Sequence, residues 1–189
     1  MKRKVIALTG TIGSGKSEVA RILRIWGYKT VDCDLLARQV ADSPAVVSQV
    51  EQLLGSDCVA DGKLNRIAIR DKVFKDENLL KRYEQIFFDG VRRLLIEAVQ
   101  ATNGNIVFVE IPILDAFPFD FVEVWRIESD KSTQLKRVIA RDKVPAENAL
   151  NILDRQKKYD NVTRVIVNNG SLDELETVVR QVLSDSNLI

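Results

Sequence analysis

Gly10-Thr11-Ile12-Gly13-Ser14-Gly15-Lys16-Ser17 fits the pattern G-x-x-x-x-G-K-S/T without a gap. The chemistry of that spacing is capture of a polyphosphate. Glycines let the backbone turn its N–H groups inward around phosphate oxygens. A helix that begins at the anion adds the positive end of its dipole. Lys16 is spaced to reach the β- and γ-phosphates, and the Ser17 hydroxyl to hold Mg²⁺. Gly10, Thr11, Ile12, Gly13, Ser14, Gly15, Lys16 and Ser17 are therefore the expected contacts of a nucleoside triphosphate. The plain alternative is a glycine-rich turn that matches by chance.

Carboxylates and guanidiniums elsewhere suit phosphoryl transfer. Asp32 and Asp34 close an expected second strand and, by strand alternation, point the same way. Either is placed to accept the proton of an acceptor hydroxyl. Helix capping by Asp34 is the competing structural role. Glu110 ends an apolar strand pattern, where a carboxylate supports Mg²⁺ directly or through water. An ordinary strand-end acid is the alternative. Arg137 and Arg141 lie one helical turn apart and could grip phosphates as a lid closes; a solvated basic face is the other reading. Phe87-Phe88 and Phe117–Phe121 are read as core packing rather than as contacts to an adenine or pantetheine.

The elements that must position these groups alternate. Val5–Leu8 reads as a strand buried on both faces, and Ser17–Trp26 as an amphipathic helix that Gly27 stops. Lys29–Cys33 is a second strand, with a helix from about Asp34. Ser43-Pro44 opens a helix to Leu54, which Gly55 ends. Asp61-Gly62 marks a turn, and Asn65 caps a short helix through Phe74. Asn78–Ala101 carries a long apolar stripe. Strands follow at Ile106–Ile111, Phe121–Ile127 and Val165–Val167. Thr133–Ala140 is helical, Arg141–Val144 is a charged connector, and Pro145 begins another helix. Ser171-Leu172-Asp173-Glu174 is a capping box for the terminal helix, and 185–189 are expected to fray. Alternation of this kind argues for α/β architecture with a parallel sheet.

Composition narrows the classes. The 189 residues suit one α/β domain. Lys and Arg number 28 against 27 Asp and Glu, a net charge of +1 that gives no argument for a long nucleic-acid footprint or a membrane-surface patch, and neither partner is expected. There is no histidine, and Cys33 and Cys58 fall in no metal spacing. Zinc sites of the usual kind and a histidine base are therefore not expected. No signal peptide or membrane span is apparent, so a reducing cytoplasm with free cysteines is the expectation.

Several blocks together resemble one family. They are Leu8–Ser17, Val31-Asp32-Cys33-Asp34-Leu35-Leu36-Ala37-Arg38, and Asp61–Arg66 with Phe74. Gln134–Arg137 with Arg141-Asp142, Gln156, and Asn168-Asn169-Gly170 complete the set. The chain resembles dephospho-CoA kinases, which phosphorylate the ribose 3′-hydroxyl of dephospho-CoA, over nearly its whole length. The resemblance implies a three-layer P-loop NTPase fold, with a five-stranded parallel sheet, a helical substrate-binding insertion and a small lid. It implies one kinase domain over 1–189. The core would be 1–60, 103–130 and 160–189, the substrate region 61–102, and the lid with its flanking helices 131–159.

Asp34 is then the general base, with Lys16 and Arg141 stabilising the transferring phosphoryl. Asp32, Arg38 and Arg66 hold the acceptor, Arg137 and Asn168 join the nucleotide site, and Ser17 and Glu110 hold the metal. ATP and Mg²⁺ are the implied cofactors, and a monomer or weak homo-oligomer the implied state.

The chain departs from the family pattern on the acceptor side. Phe88-Asp89 stands where the family has His-Pro, Ala116 follows Asp115 where an acid is usual, and Arg164 stands near a usual aspartate. These departures keep two alternatives in view: a related small-molecule kinase with another acceptor, and a nucleotide-binding module without turnover.

Overall fold

Lys4–Thr9 (β1) contains five consecutive buried residues, Val5 to Thr9, and is the central strand of its sheet. The computed structural model describes residues 3–73, 76–116 and 119–189. Phe74 and the first two residues of the Phe117–Phe121 run lie outside them. Lys16–Ile25 (α1), Lys29–Asp32 (β2), Cys33–Ala41 (α2) and Pro44–Leu54 (α3) follow β1. A two-stranded hairpin, Val59–Ala60 (β3) with Lys63–Leu64 (β4), turns at Asp61-Gly62 as expected. Arg66–Val73 (α4) and the long Glu77–Ala101 (α5) come next. Ile106–Glu110 (β5), Glu123–Glu128 (β6), Lys131–Asp142 (α6), Ala146–Arg155 (α7), Arg164–Val167 (β7) and Leu172–Asp185 (α8) complete the chain.

The strands form a five-stranded sheet in the order β2-β5-β1-β6-β7, with β1 parallel to β5 and β6, and β6 parallel to β7. Residues Met1–Val31 and Thr102–Ile189 make one compact unit. One buried cluster lies on one face of the sheet. Ile6, Leu8, Phe108, Trp125, Ile127 and Ile166 meet the apolar stripes of α1 and α8 there. Phe108 stands between two rings, with Tyr28 edge-on at 5.5 Å and Trp125 at 5.1 Å. Burial of one such aromatic side chain removes about 150–250 Å² from water.

The second unit is Asp32–Ala101, in which α2, α3 and α4 pack on α5. This unit holds together because α2 and α3 spend their apolar faces on α5. Local chemistry sets its helix starts. The Ser43 hydroxyl accepts from Val46 N–H with Pro44 in the first turn, Asn65 Oδ1 from Ala68 N–H, and Asp76 Oδ1 from the N–H groups of Asn78 and Leu79.

Two expectations need correction. The charged connector at Arg141–Val144 is shorter, because α6 runs on through Asp142 and Lys143 ends it with a left-handed φ of 53°. Arg and Lys sustain a helix readily, and Arg141 grips the adjacent Asp142 with two hydrogen bonds. Nor does the chain end fray after α8. Ser186 is buried and its hydroxyl donates to Glu123, Leu188 packs on the core, and Tyr28 OH donates to the Leu188 carbonyl at 3.1 Å. Arg164, the departure near the last strand, donates to Asp185 O and the Ser186 hydroxyl, and so helps secure this end.

Candidate active site

The loop between β1 and α1 is held from outside by its carbonyls. The buried Asn168 Nδ2 donates to Ser14 O at 2.9 Å, and the Ser129 hydroxyl to the same oxygen at 3.2 Å. Arg137 Nη1 donates to Gly13 O at 3.3 Å, and Arg137 also reaches Ser129 Oγ and Asn168 Oδ1. A trans peptide points its C=O and the next N–H in opposite directions. An outward tether on Ser14 O therefore aims the Gly15 N–H to the other side, toward where an anion would sit at the start of α1.

Gly15 is the N-cap of α1 at φ 98°. A Cβ there would stand 2.0 Å from Asn168 Nδ2, so glycine is what lets this tether approach. At Gly10 (φ 145°) a Cβ would lie 2.2 Å from the Ile127 carbonyl oxygen, on the next strand. Lys16 Nζ lies over the loop, donating to Gly10 O at 2.7 Å and Thr11 O at 3.4 Å. In the first turn of α1, Ser17 Oγ donates to Glu110 Oε1 at 2.6 Å. Glu110 is buried at the end of β5, which the β1–β5 register places beside Leu8. The expected pairing of Ser17 with Glu110 is thus brought together.

Arg137 and Arg141 part company. Arg137 reaches the loop, whereas Arg141 forms a bidentate pair with Asp142 and holds that carboxyl below the usual carboxylate range. Asn168 is buried in the loop's support, and a cavity of about 330 Å³ on that side is lined by Gly15, Glu18, Arg137, Asn168, Gly170 and Ser171. Two supports escaped the motif reading. Gln134 is buried on α6 and donates to Thr11 Oγ1 at 2.9 Å, and Ser129 follows β6 immediately. The available signal was position alone: Ser129 at a strand's C-terminal end, and Gln134 within a family block.

In the second unit the carboxylates take different roles. The strand-alternation argument does not hold, because the chain turns helical at Cys33. Asp32 is the N-cap of α2, its Oδ1 accepting from Asp34 N–H at 2.8 Å and Leu35 N–H at 3.3 Å. Asp34 sits in the helix's first turn, so capping belongs to Asp32 rather than to Asp34.

Arg38 and Arg66 line one cavity of about 440 Å³, together with Arg70, Leu80, Tyr83 and Phe87. Three guanidiniums beside apolar walls suit a ligand with anionic and apolar parts. Burial pushes the Tyr83 hydroxyl up, against a smaller opposing effect of Arg66. Phe87, read as core, is only half-buried and forms part of this wall with Tyr83, the rings 4.9 Å apart.

The family model of dephospho-CoA kinase (CoaE) matches residues 4–174. The chain belongs to the dephospho-CoA kinase family. A curated dephospho-CoA kinase from Thermus thermophilus is 33% identical over 193 residues, covering 96% of this chain and 91% of that protein. One from Hydrogenovibrio crunogenus is 35% identical over 159 residues, covering 81% of each. The crystal structure of TT1252 from Thermus thermophilus superposes with a TM-score of 0.85 at 32% identity, covering 98% of both chains. A shikimate kinase from Acinetobacter baumannii shares the fold, with a TM-score of 0.51 at 16% identity over 99% of this chain and 96% of that one. Membership of the dephospho-CoA kinase family makes the chain an ATP-dependent phosphotransferase of P-loop kinase fold acting on a small molecule. No helix among the described residues is long and apolar enough to cross a membrane.

Proposed function

We propose that this chain transfers the γ-phosphoryl group of ATP to the ribose 3′-hydroxyl of dephospho-CoA, with Mg²⁺ as the metal. The observation that carries the reading is the externally tethered loop 10–17, with Ser17 and Glu110 joined at its helix end. Residues 10–17 cradle the triphosphate, and Arg137 and Asn168 border the nucleoside side. Lys16 leaves its loop carbonyls for the β- and γ-phosphate oxygens. Arg141 exchanges Asp142 for the transferring phosphoryl, whose charge it stabilises.

Asp34 orients the acceptor hydroxyl and takes its proton. Arg38 and Arg66 hold the anionic parts of the acceptor, and Asp32 serves by fixing the start of α2. In domain terms the chain works as one kinase, with 131–159 as the lid.

No group of three or more His, Cys, Asp or Glu side chains converges among the described residues. Mg²⁺ takes one or two protein oxygen ligands and completes its shell with water and phosphate, and the adjoining Ser17 hydroxyl and Glu110 carboxylate are oxygen donors of that kind. Ser17 and Glu110 would hold it, directly or through water, and the ion would neutralise charge on the β- and γ-oxygens. We further propose a cytoplasmic monomer or weak homo-oligomer that binds neither nucleic acid nor membrane.

The test is direct detection of CoA from dephospho-CoA, ATP and Mg²⁺. Turnover is expected with wild type and not with Lys16→Ala. Transfer to free nucleosides in preference to dephospho-CoA would sink the acceptor assignment.

A further inference from the structure

The Ile12 N–H, in the middle of the phosphate loop, donates to Gln156 Oε1 at 2.5 Å. Gln156 is the C-cap of α7, and its own N–H turns back to Leu153 O. α7 is seated by Ala149 and Leu153, both buried. The backbone of Gln156 is thus anchored, while its exposed side chain alone reaches the loop. A carboxamide oxygen and a phosphoryl oxygen accept from an amide with similar geometry. They differ in charge, and one N–H does not serve both in full.

We propose that Gln156 is a built-in stand-in for phosphate, which occupies the Ile12 amide in the empty enzyme and swings off when a nucleotide arrives. The idea rests on the reading of residues 10–17 as the nucleotide site. Lys16 folds down in the same sense, onto the carbonyls of Gly10 and Thr11. The loop thus has an acceptor and a cation supplied by this chain itself. The Gln156 contact weakens every phosphate-bearing ligand, because only the fraction of molecules with Gln156 displaced is competent to bind. Product nucleotide is loosened along with substrate, so the side chain sets the affinity of the site in both directions.

The test is equilibrium binding of ATP, ADP and adenosine to wild type, Gln156→Ala and Gln156→Glu. With the competitor gone, Gln156→Ala should bind ATP and ADP roughly threefold to tenfold more tightly, the scale of one ordinary hydrogen bond. Gln156→Glu should bind both more weakly than wild type, because a carboxylate holds the amide harder and repels phosphate. Adenosine, which has no phosphate, should bind all three alike. Hydrogen exchange on the empty wild-type protein needs no variant, and should find the Ile12 amide protected.

Equal ATP affinities in wild type and Gln156→Ala overturn the proposal, as does an equal shift for adenosine or an unprotected Ile12 amide. In those cases ATP binding by wild type leaves the reading of the loop standing. A folded wild-type protein that binds no ATP overturns both.

Discussion

The hydroxyl of Ser17 donates a 2.6 Å hydrogen bond to the buried carboxylate of Glu110, joining the first turn of α1 to the end of β5. The two residues are 93 positions apart, yet the parallel pairing of β1 with β5 makes their meeting a geometric consequence. Glu110→Gln keeps an oxygen acceptor for Ser17 and removes one negative charge. The fold should therefore survive, with a melting temperature close to wild type. Turnover should fall by about 10–100-fold, and the Mg²⁺ concentration giving half-maximal rate should rise. Steady-state rates over a magnesium titration check both effects.

Asp32 and Asp34 separate by mutation because they touch different things. Asp34→Asn should lower kcat by about 10²–10⁴-fold while leaving the dissociation constant for ATP nearly unchanged. Asp32→Asn retains a good N-cap and should do little to stability. Asp32→Ala loses the cap of α2 and should cost about 0.5–2 kcal/mol. Turnover assays, ATP titrations and denaturant melts of the three variants give the comparison. Full activity in Asp34→Asn would remove the base from the mechanism.

Gly10 and Gly27 both have positive φ, 145° and 89°, but their surroundings differ. A Cβ on Gly27 meets nothing within 4 Å, so Gly27→Ala should cost only the backbone term, about 1–2 kcal/mol. A Cβ on Gly10 runs into the Ile127 carbonyl at 2.2 Å, and backbone cannot rotate away as a side chain can. Gly10→Ala should lose about 1–3 kcal/mol more, along with ATP binding. Urea unfolding of both variants checks the order.

The capping box of α8 has a definite pH signature. The Ser171 N–H donates to Glu174 Oε2, and that bond holds the Glu174 carboxyl below its ordinary value. A carboxyl depressed in the folded state contributes stability that is present above its unfolded pKa and lost as pH falls through its folded one. Wild type should therefore exceed Glu174→Gln in melting temperature near pH 7. The gap should close as pH drops through and below the usual carboxylate range. A constant difference over that window would count against the assignment.

Reading from residues to site succeeds where the physics is short-range. The loop of Gly10 to Ser17, the Ser43-Pro44 helix start and the Ser171–Glu174 box each depend on atoms within a few positions of one another. Their patterns carry their own geometry, and the parallel sheet follows from buried strands alternating with amphipathic helices. Ser17 and Glu110 could each be singled out at the end of an element, but their direct hydrogen bond came only with the placement of β5 beside β1.

What the amino-acid sequence could not decide by itself is which side chains the fold brings to the loop. Arg137 and Arg141 are equivalent by spacing, yet one tethers Gly13 and the other pairs with Asp142. Asp32 and Asp34 look alike until the chain turns helical between them and one becomes the cap. Asn168, Ser129, Gln134 and Gln156 reach the loop across 115 to 154 residues. Such contacts are set by strand order and by the packing of α6 and α7. A local pattern records what a residue can donate or accept, and the tertiary fold alone supplies its partner.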